Sequence, residues 1–163
     1  MNTFILSLVL FFSNSYGEFL HEEIALKKDP YAVKFQVEQV KGNLYNFIIT
    51  MELAPKAHYV SPHSKGDYTG RFYIRMEKNS TLETTGKLLE HPAPEETIDR
   101  WSGNPISFVR ENTTYQQQFR ITNTNDFTID GEIGFVIEPR CTREHVKFSI
   151  VKRNGIISVA QKK

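Results

Sequence analysis

The chain has little cysteine: Cys141 is the only one among 163 residues. A single thiol excludes an intramolecular disulfide, and it excludes a structural zinc site of the multi-cysteine kind. Two states of the thiol remain open. It is either a small buried side chain, or a free group that forms a mixed disulfide or a disulfide-linked dimer with another molecule.

The chain also lacks an excess of charge of either sign. Its 20 lysine and arginine residues stand against 19 aspartate and glutamate residues, which gives a formal net charge of +1. A nearly neutral chain without basic runs has no general electrostatic attraction for nucleic acid. We therefore expect no nucleic-acid partner.

Motifs of the common enzyme classes are missing from the sequence. There is no glycine-rich phosphate loop and no Gly-x-Ser-x-Gly nucleophile elbow. His58, His63 and Asp67 lie close together in the sequence, but metal ligands need a supporting shell, and loop-packing histidines are the favoured interpretation. The sequence predicts neither a metal site nor a cofactor, and no set of residues points to a hydrolase.

The first 17 residues differ from the rest of the chain. Residues 4–12 read FILSLVLFF, a run shorter than the roughly 20 residues that a membrane-spanning helix needs. Ser15 and Gly17 follow in a small-x-small cleavage pattern, which predicts a signal peptide over residues 1–17. A first core strand or a retained anchor is the alternative. We expect an exported protein, periplasmic or secreted, with no membrane span after cleavage and a leader segment over residues 18–30.

From residue 31 the pattern is that of β-strands. Val33, Phe35 and Val37 alternate with polar residues, which is the period of a half-buried strand. A turn signal at residues 41–43 separates them from a second apolar stretch at residues 44–53, so the two predict a hairpin.

Further short strands are expected along the chain, with long loops at residues 54–70 and 91–105. The predicted strands cover residues 71–76, 82–90 with a bulge at Gly86, 106–110, 114–122, 128–138 and 146–151. This spacing predicts an all-β fold, an immunoglobulin-like antiparallel β-sandwich over residues 31–155, followed by a C-terminal tail at residues 156–163.

Two residues in predicted loops are candidates for function. Trp101 is the only tryptophan, and it is either an anchor in the edge of the core, which is favoured, or a contact residue. Cys141 falls in a turn between two strands, flanked by Arg140 and Arg143. Nearby positive charge favours a thiolate, which makes Cys141 a candidate redox thiol, but the favoured interpretation is an inert small residue packed under the turn.

The mature chain resembles the immunoglobulin-like N-terminal domain of the thiol:disulfide interchange protein DsbD, in the form seen in Bacteroidetes-type bacteria. The resemblance begins in the hairpin VKFQVEQVKGNLYNFIITMEL and continues through residues 56–61, KAHYVS. It extends over residues 95–121 and over residues 131–137, GEIGFVI, which lead to Cys141. Together these stretches cover roughly residues 32–151.

The resemblance implies a fold and a compartment, together with an incomplete active site. In the family, two cysteines straddle the last hairpin and exchange electrons, while an aromatic residue in a cap loop shields them. Cys141 matches the second cysteine, and Glu138 stands where the first belongs. Trp101, with Asp99, is the nearest match to the shielding loop. A dithiol cycle needs two thiols, so the chain is not expected to run this exchange alone.

Two hypotheses follow from the resemblance. The first is a non-catalytic, redox-degenerate protein-binding module of a thiol–disulfide or envelope-biogenesis system, with a partner that resembles thioredoxin. Its binding residues would be Trp101, Asp99, Arg140 and Arg143. The alternative is a single-cysteine redox protein that acts through a mixed disulfide at Cys141.

Overall fold

The computed structural model describes residues 29–66 and 68–162, and every regular element in these ranges is a β-strand. The predicted signal peptide and nearly all of the predicted leader segment lie outside the described residues. The strands are β1 (Tyr31–Lys41), β2 (Leu44–Leu53), β3 (Tyr59–Val60), β4 (Tyr73–Met76), β5 (Leu82–His91), β6 (Glu95–Ile98), β7 (Pro105–Val109), β8 (Thr113–Ile121), β9 (Phe127–Ile137), β10 (Thr142–Arg153) and β11 (Ile156–Gln161). Within the described part of the chain, no helix is long and apolar enough to cross a membrane.

The first sheet has four antiparallel strands in the order β1-β2-β8-β5. The predicted hairpin of β1 and β2 is confirmed, and its turn contains Gly42 at a φ of 57°. The predicted bulge is confirmed too. The pairing of β5 with β8 shifts register between Thr85 and Leu89, and Gly86 lies there at a φ of 70°, which favours glycine.

The second sheet has four antiparallel strands in the order β11-β10-β9-β4. The expected tail at residues 156–163 is wrong, because residues 156–161 form β11, which pairs with β10 after the turn at Asn154 and Gly155. Ile157 and Val159 pack partly buried against the core, and this gives the strand its stabilising contacts.

The core lies between the two four-stranded sheets. Alternate side chains of the central strands point inward and are fully buried, including Phe47 and Phe119 from the first sheet and Phe135 and Phe148 from the second. Phe47 and Phe148 meet across the interface with ring centroids 4.8 Å apart. The predicted all-β antiparallel sandwich is therefore confirmed, while its immunoglobulin-like character stays a prediction.

A third, smaller sheet has the order β3-β7-β6. Its outer strand β6 lies where the sequence predicts irregular chain, and that prediction is wrong for residues 95–98. All four β6 side chains are exposed, so the strand shows none of the apolar alternation from which strands are predicted. The sequence also failed to predict β3, which lies within the long loop expected at residues 54–70, because two residues are too few to show a periodicity.

A buried chain of hydroxyl groups joins the small sheet to the first sheet. The hydroxyls of Tyr59 and Tyr115 lie 3.0 Å apart, and Tyr115 donates to Glu90 Oε1 at 2.7 Å. Ser61 Oγ donates to Glu90 Oε2 at 2.6 Å. Desolvation by burial raises the pKa of both tyrosines, so their hydroxyls stay protonated donors. These bonds fix β3, and with it β7, relative to the sandwich.

Candidate functional site

Trp101 lies at the tip of the hairpin formed by β6 and β7. The last pair of this hairpin joins Ile98 to Pro105, and the loop between them projects past the end of the small sheet. The Trp101 side chain is 97% exposed, so the favoured expectation that it anchors the core edge is wrong. The alternative, that Trp101 is a contact residue, stays a prediction.

Asp99 gives the Trp101 loop a defined conformation. Its Oδ2 accepts hydrogen bonds from the backbone N–H of Ser102 at 2.8 Å and from the Ser102 hydroxyl at 2.6 Å. These two bonds lower the pKa of the Asp99 carboxyl. The Asp99 carbonyl also accepts from Gly103 N, 2.8 Å away, and Gly103 adopts a φ of 70°. Asp99 therefore orders the loop from within, and its carboxylate is occupied by Ser102.

Cys141 lies in the turn between β9 and β10, and it is exposed, so the favoured expectation of a side chain packed under the turn is wrong. It adopts a φ of 54°, which a non-glycine residue rarely does outside tight turns. Its thiol donates to the Glu138 carboxylate, and this hydrogen bond, followed by the negative charge of Glu138, raises the pKa of the thiol. The expectation that flanking arginines favour a thiolate is therefore wrong.

Arg140 binds other side chains near the turn. Its Nη2 lies 2.7 Å from Glu144 Oε1, and its Nε donates to Thr142 Oγ1 at 3.0 Å. Partial burial opposes ionisation of Glu144, but donation from Thr142, Arg140 and Tyr31 outweighs it and lowers the pKa of Glu144. This cluster ties the start of β10 to β1, since Tyr31 donates to Glu144 Oε2 at 2.9 Å.

The Trp101 loop and the Cys141 turn lie at opposite ends of β7. His58 forms a bridge with Glu138, and the next residue, Tyr59, pairs with Val109 at the end of β7. Trp101 precedes Pro105 at the beginning of β7. Four residue steps of strand, about 13 Å, therefore separate the two ends. The structure does not bring the predicted binding residues into one small cluster.

Arg143 is the fourth predicted binding residue, and it lines a pocket of about 310 Å³ on the outer face of the second sheet. Sequence reasoning missed its neighbours Tyr68, Tyr73, Arg75 and His145. The only sequence signal for this pocket is a pair of alternations: Tyr73 and Arg75 occupy alternate positions of β4, and Arg143 and His145 occupy alternate positions of β10. Tyr73 and His145 both pair with Gly134, on either side of β9, and this register is visible only in the folded sheet.

Tyr68 connects this pocket with the Trp101 loop. Its hydroxyl donates to the carbonyl of Pro105 at 3.2 Å and lies 3.4 Å from that of Asn104, at the base of the hairpin. One aromatic side chain thus touches both regions, so Arg143 and Trp101 belong to one continuous stretch of surface.

His58, one of the two histidines considered for metal binding, has other contacts. The ring of His58 packs edge-on against Phe108 at 5.3 Å between centroids, and its Nδ1 lies 3.1 Å from the Lys56 carbonyl. Asp67 lies outside the described residues. Across residues 29–66 and 68–162, no group of three or more potential metal ligands occurs.

The arrangement therefore consists of a rigid loop with an exposed indole, a protonated exposed thiol and a basic pocket. No family model, no curated protein and no solved structure matches the chain.

Proposed function

We propose that the chain is a non-catalytic protein-binding module of the bacterial envelope, with Trp101 as its main contact residue. The observation that carries this proposal is the exposure of the indole on a loop whose conformation Asp99 holds. Ile98, which is 59% exposed, precedes the loop and adds apolar surface beside it.

Physical chemistry favours binding at such a loop. Tryptophan is enriched among the residues that dominate protein interfaces, because burial of its large ring removes much apolar surface from water. A loop that already has its bound conformation loses little conformational entropy when a partner docks. An exposed indole on an ordered loop is thus well suited to affinity, whereas it contributes nothing to the core.

The compartment and partner follow from the sequence pattern. The signal-peptide pattern at residues 1–17 supports export to the periplasm or beyond. The resemblance to the N-terminal domain of DsbD supports a partner of thioredoxin-like type. Glu138 in place of the first cysteine supports recognition without dithiol exchange, since one thiol alone completes no dithiol cycle.

The single-cysteine redox function is the second candidate, and one observation favours it. Cys141 is exposed, so another protein's thiol or disulfide has access to it. Its raised pKa works against the function, because a thiol held protonated by Glu138 attacks a disulfide slowly. A slow mixed disulfide at Cys141 therefore ranks below binding through Trp101.

The test uses Trp101 as both the contact and the probe, since it is the only tryptophan in the chain. Protein lacking residues 1–17 is mixed with purified tryptophan-free variants of thioredoxin-like envelope domains from the source organism. Binding is expected to shift the Trp101 emission to shorter wavelength and to protect it from a soluble quencher, as the indole leaves water.

A matched pair of variants completes this experiment. Trp101→Ala is expected to weaken the complex, measured by calorimetry, by about 2 kcal/mol or more, as for a residue central to an interface. The control is Ile156→Ala, which removes another exposed apolar side chain, 73% exposed on β11. Equal affinity of the two variants, or an unchanged Trp101 spectrum in a complex that does form, would show that the binding face lies elsewhere.

A further inference from the structure

The pocket beside Arg143 has charged walls of a single sign. Its charged lining consists of Arg71, Arg75 and Arg143, with His145 beside them, and no acidic residue lines it. Its volume of about 310 Å³ lies at the lower end of the range of roughly 300–1,000 Å³ for small-molecule sites. The pocket therefore fits a small anionic group.

Two glycines shape the floor of this pocket. A Cβ atom at Gly134 would lie 2.4 Å from Cζ of Tyr73, so the tyrosine ring rests directly on the backbone of β9. A Cβ atom at Gly70 would lie 2.3 Å from Cγ2 of Val136, and Gly70 adopts a φ of 90°. These close approaches let β4 and the segment before it pack closely against β9 while their polar side chains face solvent.

Two of the three arginines are held by the protein. Arg75 lies over the Tyr73 ring, 5.1 Å from its centroid, and its Nη1 lies 3.4 Å from Glu132 Oε1. Arg71 donates to the carbonyl of Ser64 at 3.0 Å. Each guanidinium is therefore positioned in advance, which reduces the entropy lost on binding a ligand.

Arg143 is different, because within residues 29–66 and 68–162 its side chain makes no hydrogen bond and no ion pair, although its backbone pairs with Val136 in the sheet. Arg143 lies near the Tyr73 hydroxyl. Burial and the acceptor Glu132 raise the pKa of this hydroxyl, and the charges of Arg75 and Arg143 offset part of that rise. The planar fork of donors on Arg143 is thus available at the pocket. Of the three guanidinium groups, Arg75 pairs with a carboxylate, that of Glu132 outside the lining, so the net charge at the pocket is positive.

We propose that this pocket binds a phosphate group, with Arg143 supplying the main hydrogen bonds. Phosphate carries up to two negative charges at neutral pH and accepts bidentate hydrogen bonds from guanidinium groups. A site with more than one uncompensated cation binds phosphate in preference to a carboxylate, because a carboxylate carries only one negative charge. The phosphate is either free inorganic phosphate or a phosphate monoester on a larger molecule.

The experiment is a titration of isotope-labelled protein followed by amide chemical shifts in NMR. Inorganic phosphate, glycerol 3-phosphate and acetate are added separately at constant ionic strength and pH. Saturable shifts centred on Gly134 and His145 are expected with both phosphates, and weaker binding is expected with acetate. Tighter binding of glycerol 3-phosphate assigns the site to a monoester, and tighter binding of inorganic phosphate assigns it to the free ion.

Charge variants make this test decisive. Arg143→Gln is expected to raise the Kd for phosphate about tenfold, because it removes a charge-assisted bidentate contact. Arg143→Lys keeps the charge but loses the planar pair of donors, and its Kd for phosphate is expected to lie between those of the wild type and Arg143→Gln. The control Arg120→Gln removes an exposed cation from the first sheet and is expected to leave the Kd unchanged. Within residues 29–66 and 68–162 no hydrogen bond or ion pair of the Arg143 side chain would be lost, so its variants are expected to keep the wild-type Tm.

Three outcomes would overturn the proposal: no saturable shift with either phosphate, acetate bound as tightly as phosphate, or equal effects of Arg143→Gln and Arg120→Gln. The inference does not depend on the proposed protein partner. Trp101→Ala is expected to bind phosphate as the wild type does, so that failure of either proposal is recognised separately.

Discussion

The β6–β7 loop and the β9–β10 turn both present one exposed side chain that the sequence singles out, and both contain an acid that accepts hydrogen bonds. In the first, Asp99 accepts from Ser102 and orders the loop around Trp101. In the second, Glu138 accepts from the Cys141 thiol itself and raises its pKa. The same kind of acceptor thus prepares one side chain for contact and suppresses the ionisation of the other.

The difference shows that exposure decides which side chains a partner reaches, while the local hydrogen bonds decide what those side chains do. The flanking arginines of Cys141 illustrate this. Arg140 and Cys141 lie in the turn before β10, where the backbone conformation decides the direction of each side chain, so closeness in sequence does not make two groups electrostatic partners. Arg140 binds Glu144 instead, and Arg143 lines a pocket on the outer face.

The largest expected effect comes from Glu138→Cys, which would make the β9–β10 turn redox-active and so remove the difference in which Glu138 keeps the Cys141 thiol unreactive. The Glu138 carboxylate lies near enough to the Cys141 thiol to raise its pKa, so a cysteine at residue 138 is expected to place its thiol near Cys141. We expect oxidation to form an intramolecular disulfide, measured as the loss of two hydrogens by intact-protein mass spectrometry and the loss of both titratable thiols.

The control for this variant is Glu132→Cys, whose new thiol lies on the outer face of the second sheet. It is expected to keep two free thiols after the same treatment. If Glu138→Cys also keeps two free thiols, residue 138 does not correspond to the first cysteine that the resemblance to DsbD predicts at this position.

A smaller effect is expected from Glu138→Gln, which sharpens the contrast by removing only the charge. The folded-state pKa of Cys141 is raised, so loss of the carboxylate lowers it and increases the thiolate fraction at any pH below it. Alkylation by iodoacetamide at about pH 8 is expected to be several-fold faster. The advantage disappears at pH values above both pKa values, where both proteins are fully thiolate.

Glu83→Gln is the matched control, because it removes an exposed acid from the first sheet and leaves the turn intact. Its alkylation rate is expected to equal that of the wild type across the same pH range. A rate for Glu138→Gln that follows the control would mean that Glu138 does not set the pKa of the thiol.

The sequence predicted the parts of the fold that alternate visibly. Val33, Phe35 and Val37 mark β1, and the bulge at Gly86 follows from an isolated glycine in a strand pattern. It missed β6 and β3, because one is exposed on every residue and the other has two residues. It missed β11 because Ile156 and Ile157 interrupt the alternation, and the strand is stabilised by pairing with β10.

The candidate site was less predictable than the fold, because it depends on contacts between distant segments. Cys141 was placed correctly in a turn, since two apolar runs bound it. The acceptor of its thiol and the partner of Arg140 depend on the turn geometry, which no pattern encodes. The basic pocket joins Tyr68, β4 and β10 across Gly134, and register of this kind appears only when the sheet is assembled.

The smallest expected effect comes from Asp99→Ala, which tests whether the first loop is truly preordered. Loss of the carboxylate removes Oδ2, the acceptor of both hydrogen bonds from Ser102, so Trp101 is expected to gain nanosecond mobility, seen as a lower fluorescence anisotropy. The Tm is expected to change little, because the loop is exposed and packs on no core surface. Affinity for the proposed partner is expected to fall several-fold, since ordering the loop then costs entropy on binding.

Acid titration separates the hydrogen bonds of Asp99 from a general effect of substitution. The hydrogen bonds from Ser102 lower the folded-state pKa of Asp99. The stabilisation of the loop by these bonds is therefore complete above the ordinary carboxyl pKa of about 4, and it is lost as the pH falls through the lower folded-state pKa. In the wild type, Trp101 mobility is expected to stay constant from neutral pH to about pH 4 and to rise below it. Asp99→Ala is expected to be mobile throughout, and Asp99→Asn, which retains an acceptor, to stay ordered without that transition. If all three proteins share one anisotropy at neutral pH, the loop owes its conformation to other contacts, and the contrast between the two hairpins rests on Cys141 alone.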